Sequence, residues 1–455
     1  MDIIIVGCGR VGYILADHLS KEKHNITLID TNDHRLAPAL ANLDVQAVMG
    51  NGTTYSCLME AGIKSAELLI AVTGEDEINM ISCMMAKKAN SKCQTIARIR
   101  KPEYLPERNY FKQAFGMSMI INPELAAARE INQLINVPAA LEIDSFARGR
   151  VDLLRLVISE DSILNGMKVM EVSKKFDRKV LICIQMHNGE VTIPNGNAVL
   201  SAGDSISVIL PKPMISKFYN TVSDNNLSTI KNVMIIGGGT TGEYLAEALC
   251  DGGVNVRIIE KNPDKCDVLA EQLLKADIIW GDASNHDVLL AAGLEDMDAF
   301  VTLTTTDSEN CFLSLYAGKV APKCKLITRV HKLEQDEIIT TLPIGSIITP
   351  RRLTAEYILQ FVRAKMNTKG SNVEALYELM DNRVEALEFS IRDDSPVLNI
   401  PLANLQTKNN LLICAIVRGK KIITPSGKDE LKLGDTVIVV TTHLGLQDIS
   451  DILAD

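Results

Sequence analysis

Two short glycine-rich stretches contain the residues of this sequence best suited to binding a phosphate-bearing ligand. Residues 6–12 read "VGCGRVG" and residues 236–242 read "IGGGTTG", so each places glycines in the pattern GxGxxG directly after an apolar run. An acidic residue follows 18 positions after the last glycine, Asp30 in the first copy and Glu260 in the second. In this pattern the glycines permit a tight turn, a close approach of phosphate and close packing of the following helix, whose free N–H groups attract phosphate. The sequence therefore predicts two nucleotide-binding sites.

The acidic residue restricts which nucleotide is expected. A carboxylate at Asp30 accepts hydrogen bonds from the ribose hydroxyls of adenosine. A 2′-phosphate there would lie at ~4 Å from a like charge, which costs on the order of 4 kcal/mol at an effective dielectric constant near 20. The pattern therefore favours NAD(H), ATP or ADP over NADP, and it does not choose among the three.

Other candidate contacts follow the ends of later apolar runs, which meet at one edge of a parallel sheet. Asn51 and Gly52 are expected beside the adenine, and Thr73 and Gly74 beside the phosphates. Arg98 has two interpretations: it lies on a solvated basic edge, or it reaches the phosphates, which its repetition in the second copy favours. The predicted contact residues are Gly7, Cys8, Gly9, Arg10, Val11, Gly12, Asp30, Asn51, Gly52, Thr73, Gly74 and Arg98 in the first copy, and Gly237, Gly238, Gly239, Thr240, Thr241, Gly242, Glu260, Asp282, Thr304, Thr305 and Arg329 in the second.

The two copies differ inside the glycine-rich loop. Arg10 of the first copy is replaced by Thr240, and Cys8 by Gly238. Because the second loop lacks a cation, we expect unequal sites, the first better suited to a triphosphate and the second to a dinucleotide. Cys8 is either a small loop residue or a reactive thiol that senses oxidants. The ten cysteines are scattered singly, as is typical of reduced, buried thiols, and no metal site is predicted.

The similarity between the two copies extends along the whole chain. Gly7 and Gly237 are 230 positions apart, and after one inserted residue the offset becomes 231. The same offset relates residues 183–196 to residues 414–427, far outside the glycine-rich stretches. The sequence is therefore an internal duplication of a two-part unit.

The two parts of the unit have different patterns. The first alternates short runs rich in Ile and Val with helical patterns, which predicts an α/β fold with a doubly wound parallel sheet, that is, a Rossmann-like domain. The second contains β-rich runs separated by turn residues, which predicts a small α+β module of roughly 80 residues. The predicted domains are residues 1–139, 140–222, 230–366 and 370–455, with a polar, proline-containing linker at residues 211–229.

Each Rossmann-like domain is predicted to end in a helix that begins with a proline, Pro123 or Pro350. Proline suits the first helical position because its missing N–H would have no partner there. An apolar stripe at three- and four-residue spacing follows Pro123; it comprises Leu125, Ala128, Ile131, Leu134 and Ile135. This stripe packs either on its own domain or, in a crossover helix, on a partner subunit, and the spacing does not decide between the two.

Composition and charge exclude several classes of protein. The chain has 455 residues, of which 46% are hydrophobic and 23% charged, as in a soluble globular protein. The net charge of −10 argues against binding to nucleic acid. No run approaches the ~18 apolar residues that span a bilayer, and the first residues do not resemble a signal peptide. We therefore expect a cytoplasmic protein, or one peripheral to the inner face of the cell membrane.

The residues that catalysis would need are not grouped in a recognisable motif. The seven histidines are dispersed, and none is retained between the copies. A cofactor domain without a substrate chamber indicates a binding switch rather than an enzyme. The alternatives are an NAD-dependent oxidoreductase with duplicated cofactor domains and a redox sensor centred on Cys8.

The order of motifs resembles a known family. The stretches "IIIVGCGRVG", "LID", "GNGT", "AVTGEDEIN" and "ARIR", then the small module and the complete repeat, are similar to the TrkA family, the peripheral regulatory subunits of Trk-type potassium uptake systems, built from tandem RCK (KTN) domains. The resemblance covers essentially the whole chain. It implies a cytosolic homotetramer of intertwined dimers, docked on an integral-membrane potassium-translocating subunit. It also implies regulatory NAD(H), ATP or ADP at residues 7–11, Asp30, residues 73–74 and Arg98, and at the matching positions of the second half.

Overall fold

Two open parallel sheets, one in each half, form the framework of the chain. The computed structural model describes residues 1–138, 140–147, 149–222, 230–331, 339, 342–366, 373–380, 383–391, 395–446 and 448–454. The strands of the first sheet are β1 Asp2–Val6, β2 Asn25–Asp30, β3 Gln46–Met49, β4 Leu68–Ala71, β5 Gln94–Arg98 and β6 Met119–Ile121. The helices of this domain are α1 Arg10–Lys21, α2 Asp33–Asn42, α3 Tyr55–Glu60, α4 Asp76–Ala89, α5 Arg108–Ala114 and α6 Pro123–Asn136.

The first sheet has the strand order β3-β2-β1-β4-β5-β6, with parallel pairing throughout. Its central strands are almost entirely apolar and buried, as the 0–2% exposure of Ile3, Ile5 and Val6 shows. Strands of this composition form because both faces of a parallel sheet are covered by other elements. The order reverses between β1 and β4, which opens a crevice at the carboxyl ends of these two strands.

The first small module follows α6 in the chain and contains an antiparallel sheet. Its elements are β7 Glu142–Phe146, β8 Val151–Val157, α7 Val169–Lys175, β9 Leu181–His187, β10 Glu190–Thr192, β11 Ser205–Pro211 and α8 Ile215–Val222, and the strand order is β10-β9-β11-β8-β7. The prediction of a polar linker at 211–229 is wrong for its first part, because α8 buries Phe218 and Val222 in the core. The stretch 211–229 is polar on average, and this average conceals the four-residue, helical spacing of Phe218 and Val222. Residues 223–229 of the predicted linker lie outside the described residues.

The second half repeats both parts. The parallel sheet has the order β14-β13-β12-β15-β16-β17 and the small antiparallel sheet the order β18-β19-β22-β20-β21. The elements are β12 Asn232–Ile236, α9 Thr240–Asp251, β13 Asn255–Glu260, α10 Pro263–Gln272, β14 Ala276–Trp280, α11 His286–Ala291, β15 Ala299–Thr302, α12 Asp307–Val320, β16 Lys325–Arg329, β17 Ser346–Ile348, α13 Pro350–Met366, β18 Val373–Leu379, β19 Val384–Ser390, β20 Leu411–Arg418, β21 Lys421–Ile423 and β22 Thr436–Thr441. Short 3₁₀ helices lie at Pro102–Tyr104, Lys212–Met214, Leu294–Asp296, Leu402–Asn404 and Ile449–Ile452.

The predicted fold class, duplicated Rossmann-like domains each followed by a small α+β module, is confirmed. The domain boundaries stay predictions, and residues 139, 370 and 455, three of the predicted limits, lie outside the described residues. Within the described part of the chain, no helix combines the length and the apolar character needed to cross a membrane.

The two helices that begin with proline are exchanged between the halves of the same chain. Helix α6 packs against α9 of the second half, and α13 packs against α1 of the first half. Ile131 and Leu134 of α6 lie in one core with Leu245 of α9, while Ile358 and Val362 of α13 lie in a core with the first sheet. The sequence leaves two surfaces open for the apolar stripe of α6, its own domain or a partner subunit. Neither of them is the surface that the stripe covers. That surface belongs to the other half of the chain.

The two small modules also pack face to face, which buries a carboxylate between them. Cys183 and Ile184 of β9 share a core with Cys414 and Ala415 of β20. At the edge of this core Glu388 of β19 is 6% exposed, and its Oε2 accepts a hydrogen bond from the backbone N–H of Ala147 at 2.8 Å. Burial raises the pKa of Glu388 to about 7.

We expect Glu388→Gln to reduce the pH dependence of stability. A carboxyl group whose pKa is raised on folding binds more protons in the folded than in the unfolded state between about pH 4.5 and about pH 7. Stability from this group is therefore present at pH 4.5 and is lost as the pH rises to about 7, a change on the order of 1–3 kcal/mol. Thermal unfolding of wild type and variant at pH 5 and pH 8 measures the difference, with the exposed Glu190→Gln as control. Equal pH sensitivity of wild type and Glu388→Gln would contradict the prediction.

Candidate functional site

A cavity of about 730 Å³ lies at the carboxyl edge of the first parallel sheet. Its floor is the loop between β1 and α1, and its walls are the chain segments that follow β2, β3, β4 and β5. All of these segments meet at the point where the strand order reverses, which is where open α/β sheets bind ligands. The position agrees with the crevice that the sequence predicts.

Two glycines give the loop its shape. Gly7 has φ +102°, a backbone conformation that residues with a side chain rarely adopt, and its N–H donates to the carbonyl of Ile29 at 2.7 Å. A Cβ on Gly12 would collide with the carbonyl oxygen of Gly7. Helix α1 therefore begins close to the sheet, at Arg10. Its first two residues line the cavity, and its first N–H groups have no partner within the helix.

Asp30 ends β2 and holds the glycine loop in place. The residue is 6% exposed, and its Oδ2 accepts from the N–H of Cys8 at 2.8 Å while Oδ1 accepts from the N–H of Asn32 at 2.9 Å. Arg35 of α2 lies beside it, with Nη1 3.8 Å from Oδ2. The carboxylate is thus buried, bonded to two backbone N–H groups and placed on the wall of the cavity.

A buried asparagine joins the ends of β4 and β5. Asn79 of α4 is 0% exposed; its Oδ1 accepts from the N–H of Thr73 at 2.8 Å, and its Nδ2 donates to the carbonyl of Arg98 at 2.8 Å. Arg98 donates from Nη2 to the carbonyl of Thr73. Its Nε is buried and has no hydrogen-bond partner among the described residues. Burial and the neighbouring charge of Arg100 lower the pKa of Arg98. The arginine faces the cavity rather than a solvated edge.

Most of the predicted contact residues of the first copy meet in this cavity. Those that line it are Gly7, Gly9, Arg10, Val11, Asp30, Asn51, Gly52, Thr73, Gly74 and Arg98. Cys8 and Gly12 do not line it, because both side-chain positions point toward the protein interior. Cys8 is 4% exposed, and its Sγ donates to the carbonyl of Arg35 at 3.2 Å.

We expect the Cys8 thiol to be unreactive in the folded protein. Burial, followed by the charge of Asp30, raises the pKa of Cys8 to about 11. At pH 8 only about one thiol in a thousand is then a thiolate, the form that reacts. Mass spectrometry after brief treatment with iodoacetamide should find Cys8 unmodified, whereas Cys250, the half-buried thiol, reacts first. Rapid stoichiometric labelling of Cys8, or a loss of oxidant response in Cys8→Ser, would support the redox-sensor alternative instead.

The second copy forms a smaller cavity of about 300 Å³ at the equivalent edge of the second sheet. It is lined by Gly237, Gly239, Thr240, Thr241, Glu260, Asp282, Thr304, Thr305 and Arg329, whereas Gly238 and Gly242 lie outside the lining. The geometry of the first copy recurs. Glu260 accepts from the N–H of Gly238 at 2.8 Å, and Asn310 accepts from the N–H of Thr304 at 2.9 Å.

The structure adds residues that the sequence pattern does not predict. Arg351, the second residue of α13, lines the first cavity, and Glu124, the second residue of α6, lines the second cavity. Arg351 thus belongs to the second half but lines the cavity of the first, and Glu124 belongs to the first half but lines the cavity of the second. Arg35 and Arg100 also line the first cavity.

The linings of the two cavities differ in charge. Among the described residues, five arginines and two carboxylates line the first cavity: Arg10, Arg35, Arg98, Arg100 and Arg351 with Asp30 and Glu75. The second is lined by three cations and four carboxylates: Lys261, Lys265 and Arg329 with Glu124, Glu260, Asp282 and Glu309. The first lining therefore has an excess of positive charge and the second an excess of negative charge, while the predicted difference in ligand stays a prediction.

Comparison with known protein families identifies both parts of the repeated unit. Residues 3–123 and 233–350 match the TrkA-N domain, and residues 153–223 and 386–454 match the TrkA-C domain. A protein of Methanosarcina mazei named Trk system potassium uptake protein TrkA homolog 1 is 30% identical over 446 residues, covering 96% of this chain and 97% of that protein. The Trk system potassium uptake protein TrkA of Halomonas elongata is 30% identical over 445 residues, covering 96% and 95% of the two chains.

A solved structure shares the fold of nearly the whole chain. The structure of the GsuK channel bound to NAD superposes with a TM-score of 0.61 at 16% identity, covering 96% of this chain and 76% of that chain. At this identity the likeness concerns the arrangement of the domains and not their ligands.

Proposed function

The chain belongs to the TrkA family, and from this premise we propose that it is a regulatory subunit that senses adenine nucleotides and gates a membrane potassium-translocating partner. The observation that carries the proposal is the cavity of about 730 Å³, in which a glycine-rich loop, a helix N-terminus, a buried carboxylate and several arginines converge. A ribose would pair with Asp30, and the phosphates would lie between the start of α1 and Arg98. NAD(H), ATP and ADP all have this chemistry.

The exchanged helices supply a route from ligand to domain arrangement. Helix α1 begins at the phosphate side of the first cavity and packs on α13, which belongs to the other half of the chain. A ligand that displaces α1 by a small amount therefore changes how the halves pack. Allosteric coupling of about 1–3 kcal/mol is typical of such arrangements.

The binding part of the proposal is tested by calorimetry with ATP, ADP, NADH and NADPH on the full-length protein. We expect heat with the first three and little with NADPH, because Asp30 faces the 2′-phosphate. Absence of heat with every adenine nucleotide would exclude the proposal. Incubation of NADH or NAD with candidate substrates, followed at the nicotinamide absorbance, separates a sensor from the alternative of an NAD-dependent oxidoreductase, since only the latter shows turnover.

The partner and the location belong to the same proposal. We place the protein in the cytoplasm, peripheral on the inner face of the membrane, in contact with the potassium-translocating subunit. Sedimentation with membranes that do or do not contain that subunit measures this contact. Binding that requires the subunit and that changes with ATP, ADP or NADH supports the proposal, whereas equal recovery with both membranes would contradict it.

Self-association into a homotetrameric ring is proposed from exposed apolar side chains on the outer helices. Phe312 of α12 is 71% exposed, and Ile81 at the equivalent place in α4 is 42% exposed. We propose that a second copy of the chain covers them. Phe312→Asp should lower the mass measured by light scattering, whereas Leu433→Asp, equally drastic at a 59% exposed site of the second small module, should not. An unchanged mass of Phe312→Asp would exclude this surface from the assembly.

A further inference from the structure

The side chains of Arg351 and Glu124 occupy equivalent places with opposite charge. Each is the residue after the proline that begins an exchanged helix, Pro350 or Pro123, and that helix starts at the carboxyl edge of its own sheet. Because the helices pack on the other half, Arg351 lines the first cavity and Glu124 lines the second. Each site is thus built from both halves of the chain, and the residue contributed by the opposite half differs in sign.

Arg351 is placed as an anion ligand. Its Nη1 is buried and has no hydrogen-bond partner among the described residues, and the Nε of Arg98 on the same cavity is in the same state. Burial, followed by the charge of Arg10, lowers the pKa of Arg351. Guanidinium groups held close together in an enclosed space repel one another, and a phosphate between them supplies both the missing acceptors and the opposite charge.

Glu124 adds a carboxyl group to the second cavity at the place where Arg351 adds a guanidinium group to the first. Its Oε2 is buried and has no partner among the described residues, and burial raises the pKa of the group. The loop of this copy has Thr240 where the first has Arg10. A β- or γ-phosphate at the place that Arg351 serves in the first cavity would meet a carboxylate, so a polyphosphate is disfavoured there.

We propose that Arg351 binds the β- or γ-phosphate of a nucleoside polyphosphate held on the first glycine-rich loop, and that Glu124 excludes polyphosphates from the second. This inference rests on the proposed nucleotide-sensing function and deepens it: it names the ligand class of each site and assigns the difference to the exchanged helices. A nucleoside triphosphate bound at the first site then contacts both halves of the chain, because α1 belongs to the first half and Arg351 to the second.

The test compares ATP with AMP, since AMP lacks the phosphates that Arg351 would bind. Calorimetry on the full-length Arg351→Ala protein should show ATP binding weakened by about 10- to 100-fold and AMP binding changed by less than about 3-fold, the range expected for one charge-assisted contact. Arg351→Lys, which keeps the charge but not the planar group, should lie between wild type and Arg351→Ala. The control is Arg352→Ala, which removes the same charge from the next position, where the side chain pairs with Glu142 at 2.7 Å. It should leave the ratio of ATP to AMP affinity unchanged.

A gain of binding provides an independent test. Glu124→Arg combined with Thr240→Arg gives the second cavity five cations and three carboxylates, close to the five and two of the first, and we expect a second ATP equivalent to bind. If wild type binds ATP while Arg351→Ala keeps the same ratio of ATP to AMP affinity, the inference is wrong and the proposed function stands. If the double variant folds, binds AMP and gains no ATP site, the role of Glu124 is wrong. If wild type binds no adenine nucleotide, the proposed function itself fails.

Discussion

Replacement of Asp30 by alanine is expected to weaken NADH binding at the first site by about 100-fold. A hydrogen bond to a charged group contributes about 1.5–3 kcal/mol, and the ribose would lose its acceptor. The N–H groups of Cys8 and Asn32, which donate to Asp30 at 2.8 and 2.9 Å, lose theirs as well, so the loop that receives the phosphates is less well held. Calorimetry with NADH measures the affinity.

The ratio of NADH to NADPH affinity separates ligand contact from damage to the loop. In wild type a 2′-phosphate faces the Asp30 carboxylate, whereas in Asp30→Ala it faces Arg35, which lies 3.8 Å from that carboxylate. We therefore expect the preference for NADH over NADPH to fall by at least tenfold. Asp33→Ala, which removes an exposed carboxylate three residues away, is the matched control. An unchanged preference in Asp30→Ala would place the ribose elsewhere.

Replacement of Arg363 by methionine is expected to lower the free energy of unfolding by about 3 kcal/mol. Arg363 lies near the end of α13, and its side chain is 9% exposed. Its Nε and Nη2 donate to Oε1 of Glu22, at 3.0 and 2.5 Å, and its Nη1 donates to the carbonyl of Leu376 at 3.2 Å. Removing one partner of a buried ion pair leaves the other charge without compensation and typically costs about 3–5 kcal/mol. Because Glu22 is 26% exposed, the lower end of that range applies.

Denaturation followed by circular dichroism measures this loss, and two further variants interpret it. The double variant Arg363→Met with Glu22→Gln should recover most of the stability, since no unpaired charge remains. Lys21→Met removes a cation of similar size from a pair with Asp17 in which Lys21 is 72% exposed, and it should cost less than about 1 kcal/mol. Equal effects of Arg363→Met and Lys21→Met would show that the contact between α13 and the end of α1 adds little to the packing of the halves.

The sequence predicts those parts of the site that depend on neighbours along the chain. Gly7, Gly12 and Asp30 follow from a pattern 24 residues long. The two glycines have the turn and the close packing that the pattern assigns, whereas the ribose contact of Asp30 stays a prediction. The parallel sheets follow from apolar runs alternating with helical patterns, because that alternation leaves few other arrangements.

The parts that the sequence does not predict depend on which surfaces meet. The apolar stripe of α6 has the same spacing whether it covers its own domain, a partner subunit or the other half of the chain. Helix α13 likewise packs on the other half, so Arg351 lines the same cavity as Arg98, a residue 253 positions earlier in the sequence. The sequence does not predict the burial of α8 for a different reason: its few apolar residues are surrounded in the sequence by polar ones.

The covalent joining of the two exchanged halves has a consequence for how the sites can diverge. In an assembly of two identical chains related by a twofold axis, every substitution appears at both binding sites, so an arginine gained at one is gained at the other. Here positions 124 and 351 are separate codons of one reading frame, and they encode Glu and Arg. Tandem duplication therefore allows the two cavities to differ in charge, because each is lined by a residue of the opposite repeat that can be substituted independently.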